Sequence, residues 1–347
     1  MRFVLLLSLL FVSAFHAVMG EQSGDWEYLV SSNEITITKY NGNNAEIVIP
    51  NSINGLPVRT IQSTSPPTSG FKGLNNQVAS VVISEGITSI GFYAFAACTN
   101  ITSITIPNTV KNIGTSAFVA CYNLRTIDIP NSVTSIGYDA FFACLNLAEI
   151  IIPNGVTRIE HHTFTSCHKL TKIIIPNSVT SIGTEAFGGC LALTEITIPN
   201  SVSNIELGAF NYCENLTGVY FLGDSPSIET NIFSRSFPTI YYLAGKTGWG
   251  ATYSGRPTAV WVLQLPVISN FSVIGVSSLG LNSIKFNLNT SPGIPYRVER
   301  SSDLKSWTTV LSGWGGGDIR EYQEDLPDPL MNPAFIKSFY RVMQENP

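Results

Sequence analysis

Cysteine and histidine are the residue types in this chain best suited to covalent or metal chemistry. Each of the six cysteines lies 23 residues after the one before it: Cys98, Cys121, Cys144, Cys167, Cys190 and Cys213. A single such thiol could be a nucleophile, half of a disulfide, a metal ligand or an inert core group. Six equivalent positions cannot each be an active site, so the spacing argues against catalysis and reports the copies of a repeat.

Beyond the first 20 residues, all the histidines lie in one repeat, in the segment HHTFTSCH. His161, His162 and His168, with Glu160 and Cys167 close in sequence, could together bind zinc. They lack the i, i+4 helical spacing and the C-x-x-C spacing that make a zinc prediction specific, and Cys167 is expected to point inward. The sequence therefore favours a solvated polar variation of the repeat, and it predicts no metal or cofactor.

Motifs of known enzyme classes are weak or missing. The segment AGKTGWG, residues 244–250, contains the Gly-Lys-Thr of a phosphate loop, but that motif needs a glycine five residues before Gly245, and position 240 is Ile. The sequence contains no H-E-x-x-H motif, no G-x-S-x-G motif and no Gly-rich dinucleotide turn. It therefore gives no support for an enzyme.

Residues of several other types share the cysteine spacing, and this pattern predicts the fold. Phenylalanine recurs at the same step from Phe95 to Phe210, and isoleucine does so from Ile90 to Ile205. Within residues 124–143, alternate apolar residues predict a short strand that ends at a proline, followed by a turn, a second inward pair and a tight bend. One such coil cannot bury its apolar face, whereas stacked coils can, so we expect a β-rich solenoid with a parallel sheet.

The repeat reads C-x-x-L-x-x-I-x-I-P-x-x-V-x-x-I-G-x-x-A-F and resembles the BspA-like class of leucine-rich repeats found in bacterial surface proteins. The resemblance covers about residues 25–222, in which residues 46–61 look like the longer first coil of that class. Glu160 and Glu206 replace the glycine of the pattern, and Ser84 replaces its first proline. The resemblance implies a leucine-rich repeat fold and adhesion to other cells or to matrix components.

The six cysteines, which should stack above one another as a ladder, could be either reduced thiols or disulfides. Stacked strands lie about 4.8 Å apart, so the Cα atoms of neighbouring cysteines would be within disulfide range. Their Cβ vectors run parallel, however, whereas a disulfide brings its Cβ atoms to about 3.8 Å. The geometry favours reduced, buried thiols, and one or two strained disulfides are the alternative.

The beginning of the chain predicts export. Residues 1–20 combine one positive charge with an apolar run too short for a convincing membrane span, as in a secretory signal peptide cleaved near Gly20. The net charge of −5 argues against nucleic acid as a partner, and no later stretch has the ~20 apolar residues of a membrane helix. We therefore expect a bacterial protein that is secreted or held at the extracellular surface, without a membrane span.

The outward positions of the predicted strands are the candidate partner-binding surface. In each L-x-x-I-x-I strand the three x positions should point outward and form columns along the solenoid. The candidate residues are Thr105, Arg125, Asp128, Glu149, Ile151, Lys172, Ile174, Glu195, Thr197 and Tyr220. They include a column of alternating charge and a pair of isoleucines on neighbouring strands. The alternative is that these cross-strand pairs only stabilise the sheet.

The chain divides into five predicted segments. They are the signal peptide 1–20, an N-terminal cap with a first irregular coil 21–80, the 23-residue repeats 81–222, a C-terminal cap 223–262 and a β-sandwich 263–347. The 23-residue register is expected to end at Gly223, and the aromatic residues of the cap should cover the last apolar layer. In the final segment, YRVERSSDLKSWTTV together with FYRV resembles fibronectin type III-like modules of exported bacterial proteins.

These features predict a noncovalent binder of an extracellular protein or glycan that acts through its sheet face, in adhesion. A passive structural spacer that displays the C-terminal module is one alternative. The other is a carbohydrate-binding protein that stacks sugars on the aromatic residues of segment 241–261. Binding through the sheet face requires Ile151 and Ile174 to contribute, whereas the sugar hypothesis requires Trp249 or Trp261 to be exposed.

Overall fold

The computed structural model describes residues 21–63, 78–229 and 231–262, followed by the main chain of six strands between Val267 and Gln344. This part of the chain contains no α-helix and winds as a parallel-sheet β-solenoid of about eight turns. The parallel solenoid expected from the 23-residue repeat is therefore confirmed. The predicted signal peptide 1–20 and the segment 64–77 lie outside the described residues.

Short strands separated by turns make up the described chain. The first nine are β1 Glu21–Ser23, β2 Trp26–Ser31, β3 Glu34–Tyr40, β4 Glu46–Ile49, β5 Ser52–Ile53, β6 Leu56–Ile61, β7 Ser80–Ile83, β8 Ser89–Ile90 and β9 Ser103–Thr105. The next thirteen are β10 Asn112–Ile113, β11 Ser135–Ile136, β12 Glu149–Ile151, β13 Arg158–Ile159, β14 Lys172–Ile174, β15 Ser181–Ile182, β16 Glu195–Ile198, β17 Asn204–Ile205, β18 Gly218–Phe221, β19 Ser227–Ile228, β20 Thr239–Leu243, β21 Thr252–Tyr253 and β22 Arg256–Trp261. The last six are β23 Val267–Gly275, β24 Asn282–Asn289, β25 Pro295–Ser301, β26 Thr308–Trp314, β27 Ile319–Leu326 and β28 Phe339–Gln344.

One side of the solenoid, here called the front wall, contains β4, β7, β9, β12, β14, β16, β18, β20 and β22, which pair in parallel as three successive sheets. In β12 and β14, Ile150 is opposite Ile173, and Ile151 is opposite Ile174. Within β12, Ile150 is buried, whereas Glu149 and Ile151 on either side of it are exposed. The alternation of the sequence pattern therefore separates a core face from an outer face.

A second wall consists mainly of two-residue strands from the V-x-x-I segments. Ile113 of β10, for example, pairs in parallel with Ile90 of β8 and with Ile136 of β11. At the N-terminal end this sheet continues through β6 into the antiparallel strands β3, β2 and β1. Tyr28 and Ile35 of these strands are buried in the common core. An antiparallel hairpin thus forms the N-terminal edge of the solenoid.

The third side, here called the turn wall, consists of turns whose main chains bond directly to one another. The N–H of Phe118 donates to the carbonyl oxygen of Ala140 at 2.8 Å, and the N–H of Phe141 donates to that of Thr163 at 2.9 Å. Inside this wall the phenylalanine rings stack in one column with centroids 5.2–5.6 Å apart. The turn wall therefore joins neighbouring coils on a third side, also where the sheets of the other two walls are interrupted.

The 23-residue register extends one coil farther than Gly223, where the sequence pattern predicts its end. β19 pairs with β17 at the same step as the coils before it, and the ring of Phe233 stacks on that of Phe210 at 5.5 Å. β20 then pairs with β18 at a step two residues shorter. After Gly223 the sequence no longer matches the full repeat pattern. The inward residues of the next coil nevertheless keep the 23-residue spacing as far as Ser236.

The thiols form a hydrogen-bonded ladder inside the solenoid. All six cysteines are free and buried. The Sγ atoms of Cys121, Cys144, Cys167, Cys190 and Cys213 each lie 3.1–3.3 Å from the carbonyl oxygen of the phenylalanine 26 residues earlier. Ser236 occupies the next position, and its Oγ donates to Phe210 O at 2.6 Å. Burial raises the pKa of the Cys121, Cys167 and Cys213 thiols to about 12, so the ladder serves packing.

Because Ser236 shows that a hydroxyl can serve in this ladder, we expect Cys144→Ser to be tolerated better than Cys144→Ala. The alanine variant removes one of the two donors to Phe118 O, which keeps the N–H of Cys121 at 3.2 Å, and should lose about 0.5–1.5 kcal/mol of unfolding free energy, whereas the serine variant should lose less. Urea unfolding of the two variants checks the order. A serine variant that is less stable than the alanine variant would show that the hydrogen bond contributes nothing.

Beyond the solenoid, the chain forms two three-stranded antiparallel sheets. The first has the strand order β23, β24, β27, and the second has the order β26, β25, β28. Both fall within segment 263–347.

Candidate functional site

The ten candidate residues lie on the outer surface of the front wall. Exposed are Thr105, Arg125, Asp128, Glu149 and Ile151, and half-buried are Lys172, Ile174, Glu195, Thr197 and Tyr220. Because the strands pair in register, residues at the same repeat position form columns along the wall. The candidates come together as two groups, one around Ile151 and one around Tyr220.

The first group is an apolar spot beside an ion pair. Ile151 is 60% exposed, and Ile174 is opposite it on the neighbouring strand. Two residues before them in the same two strands, Lys172 Nζ lies 3.8 Å from Glu149 Oε2. These four residues are here called the isoleucine patch. A large aliphatic side chain that is mostly exposed, next to a second one and to opposite charges, can lose apolar area to a partner while the charges orient that partner.

The second group is held together by its own contacts. A Cβ atom at Gly218 would lie 2.8 Å from Cε2 of Tyr220, so the phenol ring lies over this glycine, where the three preceding coils carry a charged side chain. The hydroxyl of Tyr220 donates to Glu195 Oε1 at 3.1 Å. Burial and the nearby Glu195 carboxylate raise the pKa of Tyr220, which therefore keeps its proton. Tyr220 and Glu195 are thus less available to a partner than the isoleucine patch.

Two exposed apolar residues of the same column were missed by the sequence analysis. Val48 is 62% exposed, and Val82, opposite it on the next strand, is 40% exposed. The column continues through Thr105, which pairs with Val82. The alternating pattern of EIVIP, residues 46–50, indicates that Val48 points outward. The longer first coil breaks the 23-residue step there, so Val48 did not fall into the column by spacing. The apolar outer positions of the front wall therefore begin at its first strand.

The aromatic cap residues are packed instead of displayed. Trp261 is only 8% exposed, and its ring centroid lies 4.8 Å from that of Tyr220. The ring of Trp249 stacks on that of Tyr242 with centroids 5.2 Å apart, and its Nε1 donates to Gly223 O at 3.3 Å. Both tryptophans therefore contribute to packing at the end of the solenoid, which favours the cap over a sugar-stacking platform.

Comparison with known proteins identifies the repeat. The BspA type leucine rich repeat region matches residues 64–167 and 134–243, in six copies. The two matches together cover more than half of the chain. This protein belongs to the BspA-type leucine-rich repeat family. The resemblance of the 23-residue pattern to that family is thereby confirmed, and the match continues past Gly223 as the register of the coils does.

Several solved structures are similar to this BspA-type chain. A leucine rich repeat protein of T. pallidum, TpLRR, is 26% identical, with 64% of this chain and 86% of that chain covered and a TM-score of 0.42. A leucine rich cell surface protein of Faecalibacterium prausnitzii is 24% identical, with coverages of 70% and 94% and a TM-score of 0.45. A leucine-rich repeat protein of Bacteroides ovatus is 19% identical, with coverages of 64% and 70% and a TM-score of 0.42. The search of curated proteins found no match.

The two glutamates that replace the glycine of the BspA-type repeat belong to an ionic network on the second wall. Arg158 donates from Nε to Glu160 Oε2 at 2.8 Å and from a terminal nitrogen to Glu206 Oε1 at 2.5 Å. Burial alone would raise the pKa of Glu206, but hydrogen bonds from Arg158 and Thr184 outweigh it and lower the pKa. This network connects coils that are 48 residues apart in sequence, so it serves cohesion of the solenoid.

The histidines join this network or a neighbouring acid and do not assemble a metal site. The N–H of Thr184 donates to His161 Nδ1 at 3.0 Å and to Glu206 Oε2 at 3.2 Å, and His162 Nδ1 lies 3.5 Å from Asp139 Oδ1. Cys167 points away from them, with its Sγ buried 3.3 Å from Phe141 O. Among the described residues, no group of three or more His, Cys, Asp or Glu side chains is placed to hold a metal ion. The polar variation favoured by the sequence thus has a structural role.

The Gly-Lys-Thr segment lies in the turn after β20. The N–H of Lys246 donates to Leu243 O, and that of Thr247 donates to Asp224 Oδ1 at 2.7 Å. A carboxylate therefore already occupies a donor that a phosphate would need. In the part of the BspA-type chain that the structure describes, no helix is long and apolar enough to cross a membrane.

Proposed function

We propose that this protein is exported by bacteria and binds an extracellular protein or glycan noncovalently through the isoleucine patch of its front wall, in adhesion. In this proposal residues 1–20 are a cleaved signal peptide, 21–80 and 223–262 cap the repeats 81–222, and 263–347 form a fibronectin type III-like β-sandwich that spaces or attaches the solenoid. The observation that carries the proposal is the exposure of Ile151 on an in-register surface of a repeat family.

The energetics of the patch fit a modest but specific contact. Full burial of an isoleucine side chain contributes about 1.5–3 kcal/mol, so two isoleucines can anchor a partner. Glu149 and Lys172 lie beside them and place opposite charges at the rim, where they orient the partner more than they raise affinity. Thr105 and Thr197, in the same column as the isoleucines, extend a polar surface on both sides.

The passive spacer is the second candidate, and the pairing of Glu149 with Lys172 and of Glu195 with Tyr220 favours it. Charges that satisfy one another across strands stabilise a sheet without any partner, by about 0.2–1 kcal/mol for each pair. The spacer hypothesis predicts that changes at the isoleucine patch affect no binding.

The test is binding of residues 21–347 to arrays of glycans and extracellular proteins, compared with the Ile151→Lys, Ile174→Lys double variant. We expect the variant to lose at least tenfold in affinity, because it replaces both apolar anchors by charges. Leu207→Lys is the matched control, since Leu207 is 45% exposed but lies outside the front wall.

Circular dichroism and thermal melting establish that both variants are folded. Equal binding by the double variant and the parent chain would reject recognition by the patch and place binding on another surface. No binding by either protein would leave the spacer.

A further inference from the structure

A second surface feature lies at the C-terminal end of the solenoid, where the last residues of the turn wall meet the start of β22, several coils away from the isoleucine patch. Arg235 Cζ lies 5.4 Å from the ring centroid of Tyr212, and Arg256 Cζ lies 4.6 Å from that of Phe237. These four residues are here called the Arg-aromatic cluster. Phe237 is 74% exposed and Tyr212 is 47% exposed. Two guanidinium groups thus stack on rings that remain open to solvent.

Both arginines lack an acidic partner. Among the described residues, Arg59 and Arg158 form ion pairs with glutamates, whereas Arg235 and Arg256 form none. Glu214 lies one coil before Phe237 at the same repeat position. It also forms no ion pair with a described residue. Arg256 donates to the carbonyl oxygen of Phe233 at 2.8 Å, which fixes one end of its guanidinium. Arg125 likewise forms no ion pair among the described residues, so Arg235 and Arg256 are distinguished by their contact with aromatic rings.

The fold does not require a tyrosine at position 212 or an arginine at position 235. Earlier coils place small residues at the position of Tyr212 and Arg235, namely Ala97, Ala120, Ala143, Ser166 and Gly189, and all of them have positive φ. Tyr212 and Arg235 adopt the same left-handed conformation, with φ of 57° and 56°. A side chain in this region costs about 1–2 kcal/mol, and bulky residues rarely occupy it outside constrained sites. Packing alone therefore does not explain a tyrosine followed by an arginine.

The chemistry of the cluster selects an anionic partner with apolar ring faces. Arg235 is exposed, so its guanidinium can bind a carboxylate with two parallel hydrogen bonds, whereas Arg256 has a buried Nε and contributes mainly its charge. The open aromatic faces beside it can pack on the C–H face of a sugar ring. We propose that the Arg-aromatic cluster binds carboxylate-bearing sugars of an acidic polysaccharide. An acidic peptide would satisfy the arginines but leave the ring faces of Phe237 and Tyr212 uncovered.

This proposal does not depend on the isoleucine patch, because the two features lie several coils apart. The experiment uses residues 21–347, with oligogalacturonate as the carboxylated probe and dextran as the neutral one, measured by isothermal titration calorimetry. We expect binding of oligogalacturonate only. The affinity should fall several-fold between 50 and 500 mM NaCl, because salt screens exposed charges.

Three variants and two controls identify the site. Arg235→Gln should weaken oligogalacturonate binding about tenfold, as should Phe237→Ala. Arg235→Lys should lose less affinity, because it keeps the positive charge and loses only the planar arrangement of N–H donors. Lys111→Gln, which removes an exposed cation elsewhere, should leave binding unchanged, and so should the double variant of the isoleucine patch.

The proposal is overturned if oligogalacturonate does not bind, or if Arg235→Gln binds it as the parent chain does. Equal or tighter binding of poly-glutamate would also overturn it, since the partner would then be an acidic polypeptide. Loss of binding by the Lys111→Gln control would place the site elsewhere.

Discussion

Replacing Phe141 by alanine is expected to lower the free energy of unfolding by about 3–5 kcal/mol. Phe141 is fully buried, and its ring stacks between those of Phe118 and Phe164 with centroids 5.2 and 5.6 Å away. The substitution opens a cavity in the middle of the column. Main-chain hydrogen bonds join the turns of the neighbouring coils to it, from Phe118 N–H to Ala140 O and from Phe141 N–H to Thr163 O, so these turns cannot collapse to fill this space.

Urea unfolding followed by circular dichroism measures this loss. Phe142→Ala is the matched control, because Phe142 has the same side chain at the next position but is only half-buried, so its loss should be clearly smaller. Because each coil contacts only its neighbours, we also expect the Phe141 variant to unfold less cooperatively. Equal losses for the two variants would contradict the stacked core.

The identity of the fold could be predicted because most inward residues repeat from coil to coil. Phenylalanine and isoleucine keep the 23-residue step, and their burial follows from it. The lengths of the strands could not be predicted, because hydrogen bonding between coils sets them. The coil containing Ile127, for which a front-wall strand is predicted, retains only an isolated bridge from Thr126 to Glu149.

The candidate site was predictable in its columns but not in its side-chain contacts. Alternation places Ile151 beside Ile174, and the register keeps them there. The position of the Tyr220 ring depends on the absence of a side chain at Gly218, a local contact that the repeat pattern does not express. Which outer residues are free to bind therefore emerges only from the packed structure.

Residues that depart from the repeat pattern indicated special contacts, although the residues that they contact could not be predicted. Glu160 and Glu206 stand out in the sequence as replacements of a glycine, yet the residue that joins them, Arg158, is paired to Glu206 two coils away. Tyr212 and Arg235 were missed because their position lies in turns, where the pattern tolerates variation. Both residues adopt a left-handed backbone conformation, which the sequence pattern does not predict.

The glycine at the bend of several coils controls how closely those coils stack, and Gly137→Ala should be destabilising by about 1–3 kcal/mol. A Cβ atom at Gly137 would lie 2.6 Å from the main-chain nitrogen of Thr115 and 2.8 Å from the carbonyl carbon of Gly114. Both atoms belong to the main chain, so relief requires the coils to separate and their hydrogen bonds to lengthen. Gly250→Ala is the control, since its new Cβ would meet nothing closer than 3.7 Å.

Thermal and urea unfolding of the two alanine variants decide whether this spacing is rigid. The next coil already carries Glu160 at the position of Gly137, where a salt bridge of 2.8 Å to Arg158 accompanies the side chain. Gly137 has no such partner within reach in its own strand, because Ser135 occupies the place of Arg158. A Gly137→Ala variant as stable as the parent chain would therefore mean that the coils adjust freely, and that Glu160 needs no ion pair to be accommodated.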